Sequence, residues 1–236
     1  MTHATDGACI PVHPRYLAAS DGCADPVFAP LIGPRWHKRT DEWGNYHAFG
    51  DQGRLHIGLI PEYCELVEPV GLWHIEARPH RDAPALWRAS MSDCTPPEII
   101  AALTTALAAD VETGGDRPPY LRHSGPPDTV WSALTEAGWQ HSISEFDARA
   151  LAPDLLAEVT HTPPRPGPAF DQAREEAWQV EVRISDEGEA LWWAEFHSDT
   201  PAHLLTAFAA ALASPQPLWR TEHTLPPQVR RLINGA

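Results

Sequence analysis

The chain of 236 residues is nearly devoid of lysine, with Lys38 alone beside sixteen arginines. Its four cysteines, Cys9, Cys23, Cys64 and Cys94, are scattered and form no C-x-x-C pair. That spacing supports neither a zinc knuckle nor a dense disulfide framework, so free thiols are expected. No apolar run approaches the ~20 residues of a membrane crossing, and the longest, Leu204–Ala213, is about half that length. Met1 to Ala19 has no cationic start and no apolar core, so a cytoplasmic protein without membrane association is expected. Basic charge is also short. Against 32 acidic residues stand 17 basic ones, a net charge of −15, and both halves share the deficit: 8 basic and 15 acidic up to Gly115, then 9 and 17. On that distribution neither half is a phosphate-binding surface.

Catalytic motifs are missing as well. There is no G-x-G-x-x-G, no Walker-type loop, no G-x-S-x-G and no H-E-x-x-H. Of the thirteen histidines, His197 and His203 are six apart and straddle a helix start, which is no compact ligand spacing, so no metal and no cofactor is expected. A Ser-His-Asp set drawn from His197, Ser198 and Asp199 fails because neighbours at a strand end point in different directions. An enzyme therefore has no motif to stand on.

What is present is an internal repeat. At an offset of 105, Leu72–Asp110 falls on Ala177–Pro215 without a gap, placing Trp73 on Trp178, Trp87 on Trp192, Thr95-Pro96 on Thr200-Pro201 and Leu107 on Leu212. Upstream the offset becomes 103, pairing Asp25 with Asp128, Leu31 with Leu134, Trp36 with Trp139, Asp51 with Asp154 and Pro61 with Pro164. Pro14-Arg15-Tyr16-Leu17 matches Pro118-Pro119-Tyr120-Leu121 at 104. Colinear Trp, Pro and Leu matches over this span indicate duplication. The repeats are placed at 13–111 and 118–215, with an extension at 1–12, a linker at 112–117 and a tail at 216–236.

Within each repeat Trp73, Ile75 and Ala77 alternate with His74, Glu76 and Arg78, as Trp178, Val180 and Val182 alternate with Gln179, Glu181 and Arg183. These are half-buried strands, each joined by a hairpin to the next, whose inner face is Trp87, Ala89 and Met91 or Trp192, Ala194 and Phe196. Thr95, Pro96 and Glu98 read as a capping box before a helix with a Leu/Ile/Ala stripe, and Thr200-Pro201 repeats the cap. An earlier helix opens at Asp128 and stops at Gly138, while its counterpart is weakened by Pro30 and Pro34; a last short helix is expected from Pro227 to Asn234. Each repeat thus reads as a short strand, a helix, about four antiparallel strands and a closing helix. The fold class is α+β: two homologous antiparallel-sheet-plus-helix repeats forming a pseudo-twofold pair.

His13-Pro-Arg-Tyr-Leu-Ala18, a helix ending before Trp36, Trp87, and the twice-occurring T-P-x-x-I/L-x-x-A-x-x-x-A-L helix resemble the actinobacterial SPDY-motif family of unknown function. Its Ser-Pro-Asp turn is degenerate here: Phe49-Gly50-Asp51-Gln52-Gly53 in one copy, Ala152-Pro153-Asp154 in the other, with only Asp51 and Asp154 kept. The resemblance implies a non-enzymatic accessory protein, of a kind associated with mobile elements and conjugation. Asp51 and Asp154 are read as turn residues in preference to paired acid/base carboxylates.

On the outward strand faces, Trp193 with Arg183 is the expected binding site, because Trp and Arg are the side chains most enriched among binding hot spots. Arg78 recurs at the position of Arg183, and Arg88 replaces Trp193 in the first copy. The function expected is non-catalytic: an acidic adaptor or regulator engaging a protein partner. A single-stranded nucleic-acid binder, with single-stranded DNA as its ligand, is the competitor, and a homodimer stays open.

Overall fold

The structure, a computed structural model, describes residues 8–61, 72–122, 125–163, 176–185, 188 and 190–234. Cys64, Pro164 and Asp186 lie outside the described residues; Cys9, Cys23 and Cys94 are free thiols. The chain opens with β1 (Cys9–Val12), which pairs antiparallel with the last strand, β12 (Leu218–Thr221). The first unit then supplies β2 (Trp36–Thr40), β3 (Tyr46–Gly50), β4 (Leu55–Leu59), β5 (Trp73–Ala77) and β6 (Trp87–Met91). The second supplies β7 (Gln140–Ile143), β8 (Ala148–Leu151), β9 (Ala157–His161), β10 (Glu176–Arg183) and β11 (Ala190–His197). Among the described residues each unit has five sheet strands, one more than alternation discloses, because β2 and β7 are largely polar.

These strands form one ten-stranded antiparallel sheet in the order β2-β3-β4-β5-β6-β11-β10-β9-β8-β7. The units meet at β6 and β11, where Ser90 lies opposite Glu195, its own counterpart at the offset of 105. That central pairing is what a twofold relation between the units calls for. The outward rows also correspond: His37, Phe49, His56 and Glu76 stand side by side in one unit, Gln140, Leu151, Glu158 and Glu181 in the other. Gly50 and Ala152 therefore occupy one position, an offset of 102, and the first unit carries one extra residue in the loop between β2 and β3.

Among the described residues five α-helices complete the fold: α1 (Asp25–Phe28), α2 (Pro97–Thr113), α3 (Asp128–Glu136), α4 (Ala202–Leu212) and α5 (Pro227–Asn234). α2 packs on α1 and α4, and α4 on α3. They cover the inward sheet face, with Phe28 against Trp73, Trp131 against Trp178 and Phe208 against Phe196. Trp73, Trp87, Trp178 and Trp192 are all buried there, as their alternation required. Each buried tryptophan takes about 150–250 Å² out of water, roughly 4–6 kcal/mol at 25 cal/mol per Å². The other face carries no helix among the described residues, and its side chains are half-buried or exposed. Among the described residues no helix is long and apolar enough to cross a membrane.

Two local expectations differ from the structure. The capping box does not form: α2 starts at Pro97, and the buried Thr95 donates instead to the Trp193 carbonyl of the other unit at 3.3 Å. Glu98, freed from the cap, holds both guanidinium nitrogens of the buried Arg220 at 2.7 Å and ties the tail to the first unit. Second, Arg15–Ala18 and Pro119–Leu121 are 3-10 turns, not strands, since Pro14 and Pro119 leave too few N–H donors for a ladder.

Those turns cross between the units. Trp87 donates its indole N–H to the Tyr120 carbonyl at 2.8 Å, and Trp192 donates to the Tyr16 carbonyl at 2.7 Å. Tyr16 donates its hydroxyl to Asp154 at 2.7 Å, and Tyr120 donates to Asp51. The retained aspartates of the degenerate turn are thus the acceptors for the tyrosine of the opposite unit. Asp154 also accepts from the Leu156 N–H at 3.0 Å, which is the turn bond expected of it. Burial first, then the carboxylate contact, holds both tyrosine hydroxyls far above the ordinary phenol range.

Candidate functional site

At the free edge of the first unit lies a cleft of about 1430 Å³, walled by β2, the turn after β3, the β5–β6 hairpin and the segment following α2. Its charged lining consists of Arg35, Arg39, Arg54, Arg78 and Arg81 against Asp51 and Asp116, with His37 and His56. In a chain of net charge −15, five arginines against two aspartates is a local reversal of sign. A cleft lined by one sign of charge concentrates ions of the other.

The backbone explains how these side chains assemble. Trp36 is buried, so alternation turns His37 and Arg39 to the open face, where Phe49 lies opposite His37 and His56 opposite Phe49. Phe49 stacks on His56 with centroids 4.8 Å apart, and the Arg39 guanidinium sits 5.3 Å from the Phe49 centroid. The opposite wall is the turn Asp51-Gln52-Gly53, with φ of 48°, 60° and 85° in succession. Two non-glycine residues in the left-handed region cost about 1–2 kcal/mol each. Asp51 is held there by Tyr120 and by Arg54 at 2.5 Å. Gly53 lets the Arg81 stem pass close, since a Cβ at that position would come within 3.3 Å of Arg81 Cγ.

The five guanidinium groups differ in how far they are neutralised. Arg78 pairs with Glu76 at 2.5 Å and donates to the Ala83 carbonyl. Arg54 pairs with Asp51 and reaches the Asp116 carbonyl at 3.0 Å. Arg35 is anchored by a neutral group alone, the Val111 carbonyl at 2.5 Å. Arg39 touches the Phe49 ring, and Arg81 has no hydrogen bond or ion pair among the described residues. Arg35, Arg39 and Arg81 therefore keep their charge, and Arg35 keeps it on an ordered scaffold. His56 is neutral: burial first, then the facing His47 at 3.0 Å, lowers its pKa to about 4.

The second unit lacks this site. Arg35, His37 and Arg39 correspond to Gly138, Gln140 and Ser142, and Phe49 and His56 to Leu151 and Glu158; only Arg78 keeps its counterpart, Arg183. The duplication has left one unit with the cationic cleft and the other with Glu158 and Glu181 in the matching row.

The residues expected from the sequence are spread over both units. Trp193 is half-exposed on the open face opposite Glu181, and Arg183 is locked to Glu181 by two bonds of 2.7 and 2.8 Å. These pairs and the Arg78–Glu76 pair run along one strand, not across strands. Arg88 is exposed and lies opposite Glu76, and only Arg78 lines the cleft. Arg35, Arg39, Arg54 and Arg81 escape a reading by halves because their charges are diluted by acidic residues that fold elsewhere. Comparing outward positions between the copies is the signal that finds them. Among the described residues no cluster of His, Cys, Asp and Glu is fit to hold a metal ion.

Residues 52–111 and 151–218 both match the family model SPDY, a domain of unknown function (DUF317). The chain belongs to the SPDY family. The paired match also supports the tandem repeat, and each SPDY region runs from the end of the second sheet strand of its unit into or through the closing helix. Arg54, Arg78 and Arg81 lie inside the first SPDY region, whereas Arg35 and Arg39 precede it. No curated protein and no solved structure matches the chain.

Proposed function

We propose that this SPDY protein is a non-catalytic binding protein whose ligand is anionic and enters the arginine cleft of the first unit. The reading rests on the reversal of charge: the cleft gathers five of the sixteen arginines in a chain that is acidic overall, and the matching surface of the second unit has lost them. Arg35, Arg39 and Arg81 carry no carboxylate partner among the described residues, so their charge is available to a ligand. Arginine suits carboxylate and phosphate because its planar fork donates two parallel hydrogen bonds. The test is a titration with three labelled polyanions, namely a heparin fragment, a polyglutamate peptide and a single-stranded oligonucleotide, at low and moderate salt. At least one should bind and should lose affinity in the Arg39→Glu/Arg81→Glu double variant. Equal binding by the double variant, or no binding of any probe, overturns the reading.

A second reading concerns a protein partner on the other half of the open face. Trp193 is half-exposed there opposite Glu181, which holds Arg183, and Trp and Arg are the side chains most enriched among interface hot spots. A pull-down whose captured protein is lost with Trp193→Ala supports it, and unchanged capture removes it.

A further inference from the structure

We infer that the cleft is built for phosphate groups, several at a time, carried on a linear polyphosphate chain of the phosphodiester or phosphoanhydride kind. The inference rests on the anionic reading above and adds the chemical class. Three features of the cleft carry it. First, its uncompensated charges are distributed: Arg39 comes from the edge strand β2, Arg35 from the loop before it, and Arg81 from the β5–β6 hairpin on the far wall. A single carboxylate or phosphate meets one or two guanidinium groups, whereas a chain of charges can meet all three. Second, Arg35 is oriented through a main-chain carbonyl alone, that of Val111 in the last turn of α2, whereas Arg54, which reaches the Asp116 carbonyl, is also paired with Asp51. A carbonyl fixes a guanidinium without cancelling its charge and leaves further N–H donors for an incoming oxygen. Third, the volume of about 1430 Å³ exceeds what one tetrahedral anion fills, and the cleft opens at the sheet edge, where an extended ligand can enter and leave.

Polyacidic peptides present the same sign of charge but differ in density. A phosphodiester or phosphoanhydride chain carries one charge and two non-bridging oxygens on every backbone phosphorus, which suits clustered forks, while a glutamate chain holds each carboxylate at the end of a flexible stem. Phosphate contacts also leave a thermodynamic mark, because each neutralised phosphate releases condensed counterions and steepens the fall of affinity with salt.

The experiment uses the full chain and four probes: inorganic polyphosphate, a labelled single-stranded oligonucleotide, orthophosphate and polyglutamate, each titrated over a salt series. The variants are Arg39→Gln, Arg81→Gln and, as a control on the second unit, Arg149→Gln. Polyphosphate and the oligonucleotide should bind far more tightly than polyglutamate of equal charge. Each cleft variant should reduce the salt slope by about one unit, and Arg149→Gln should leave it unchanged. The ratio of oligonucleotide to polyphosphate affinity then tells which source of phosphate the cleft prefers. Tight orthophosphate binding at the level of the polymers overturns the claim of several phosphates at a time. Polyglutamate binding as well as the phosphate polymers overturns the phosphate class while leaving the anionic reading intact. No binding of any probe overturns both. Melting curves of Arg39→Gln and Arg81→Gln, expected to match the wild type because neither side chain has a hydrogen bond or ion pair among the described residues, guard against loss through unfolding.

Discussion

Trp87 of the first unit donates its indole N–H to the main-chain oxygen of Tyr120 in the second, at 2.8 Å. Trp192 returns the contact to Tyr16 at 2.7 Å, so each core is closed by a turn from the opposite unit. Replacing Trp87 or Trp192 by Ala removes one of the largest fully buried side chains and should destabilise by roughly 3–5 kcal/mol. Trp87→Phe keeps most of the volume and should lose less. Urea denaturation reads both, and a wild-type midpoint for the Ala variants would show that neither ring supports the core.

The two tyrosine–aspartate contacts are chemically alike but differ in exposure. Asp51 is 7% exposed, while Asp154 is exposed to solvent. Water can replace the lost phenol at Asp154, whereas Asp51 would keep Arg54 and be left with an unmet acceptor position. Tyr120→Phe should therefore cost about 1.5–3 kcal/mol, the range for a hydrogen bond to a charged group, and Tyr16→Phe distinctly less. Equal losses in a denaturation series would mean that solvent exposure of the acceptor does not set the cost.

How far the fold was legible follows from which signals are local. Trp73, Ile75 and Ala77, and Trp192, Ala194 and Phe196, were placed inward by alternation alone, and a short helix was expected at 227–234 in the Pro-rich tail. The edge strands were missed because β2 reads Trp-His-Lys-Arg-Thr, with one core residue and an outer run of polar ones. The capping box was expected because Thr95 and Glu98 have the right spacing. Tertiary partners, the Trp193 carbonyl and Arg220, won both side chains. The cleft was invisible for a related reason: Arg35, Arg54 and Arg81 are far apart in sequence and meet only when the start of β2, the turn at Asp51 and the β5–β6 hairpin lie at the same end of adjacent strands.

His56 makes stability depend on pH. Its folded pKa is lowered to about 4 by burial and by His47, below the ordinary value of 6.5. Between those limits the unfolded chain binds a proton that the folded one refuses, so stability falls as pH drops from about 6.5 toward 4. The full effect of this one group is up to about 3 kcal/mol, at 1.36 kcal/mol per unit. His161, also lowered by burial, adds in the same direction. His56→Gln should flatten the decline in urea midpoints between neutral pH and about pH 4.5. A decline as steep as that of wild type would assign the pH dependence to other groups.

Gly50 is a glycine for packing and not for backbone freedom, since its φ of −113° suits any residue. A Cβ there would lie 2.5–2.8 Å from three ring atoms of Trp36, which is rigid and cannot swing aside as a flexible chain end would. The second unit has Ala152 at the matching position, and both Ala152 and Trp139 are buried. Gly50→Ala should force Trp36 off its site at a cost of about 1–3 kcal/mol, the usual penalty for overpacking. Because Trp36 precedes His37 and Arg39 and lines the cleft itself, the displacement should also weaken polyanion binding. Ala152→Gly opens space instead, and its effect should stay on stability without reaching the cleft at the other edge of the sheet. Denaturation together with oligonucleotide titration reads the pair. If Gly50→Ala leaves both stability and binding at wild-type values, the Trp36–Gly50 contact does not position the arginine-bearing edge strand.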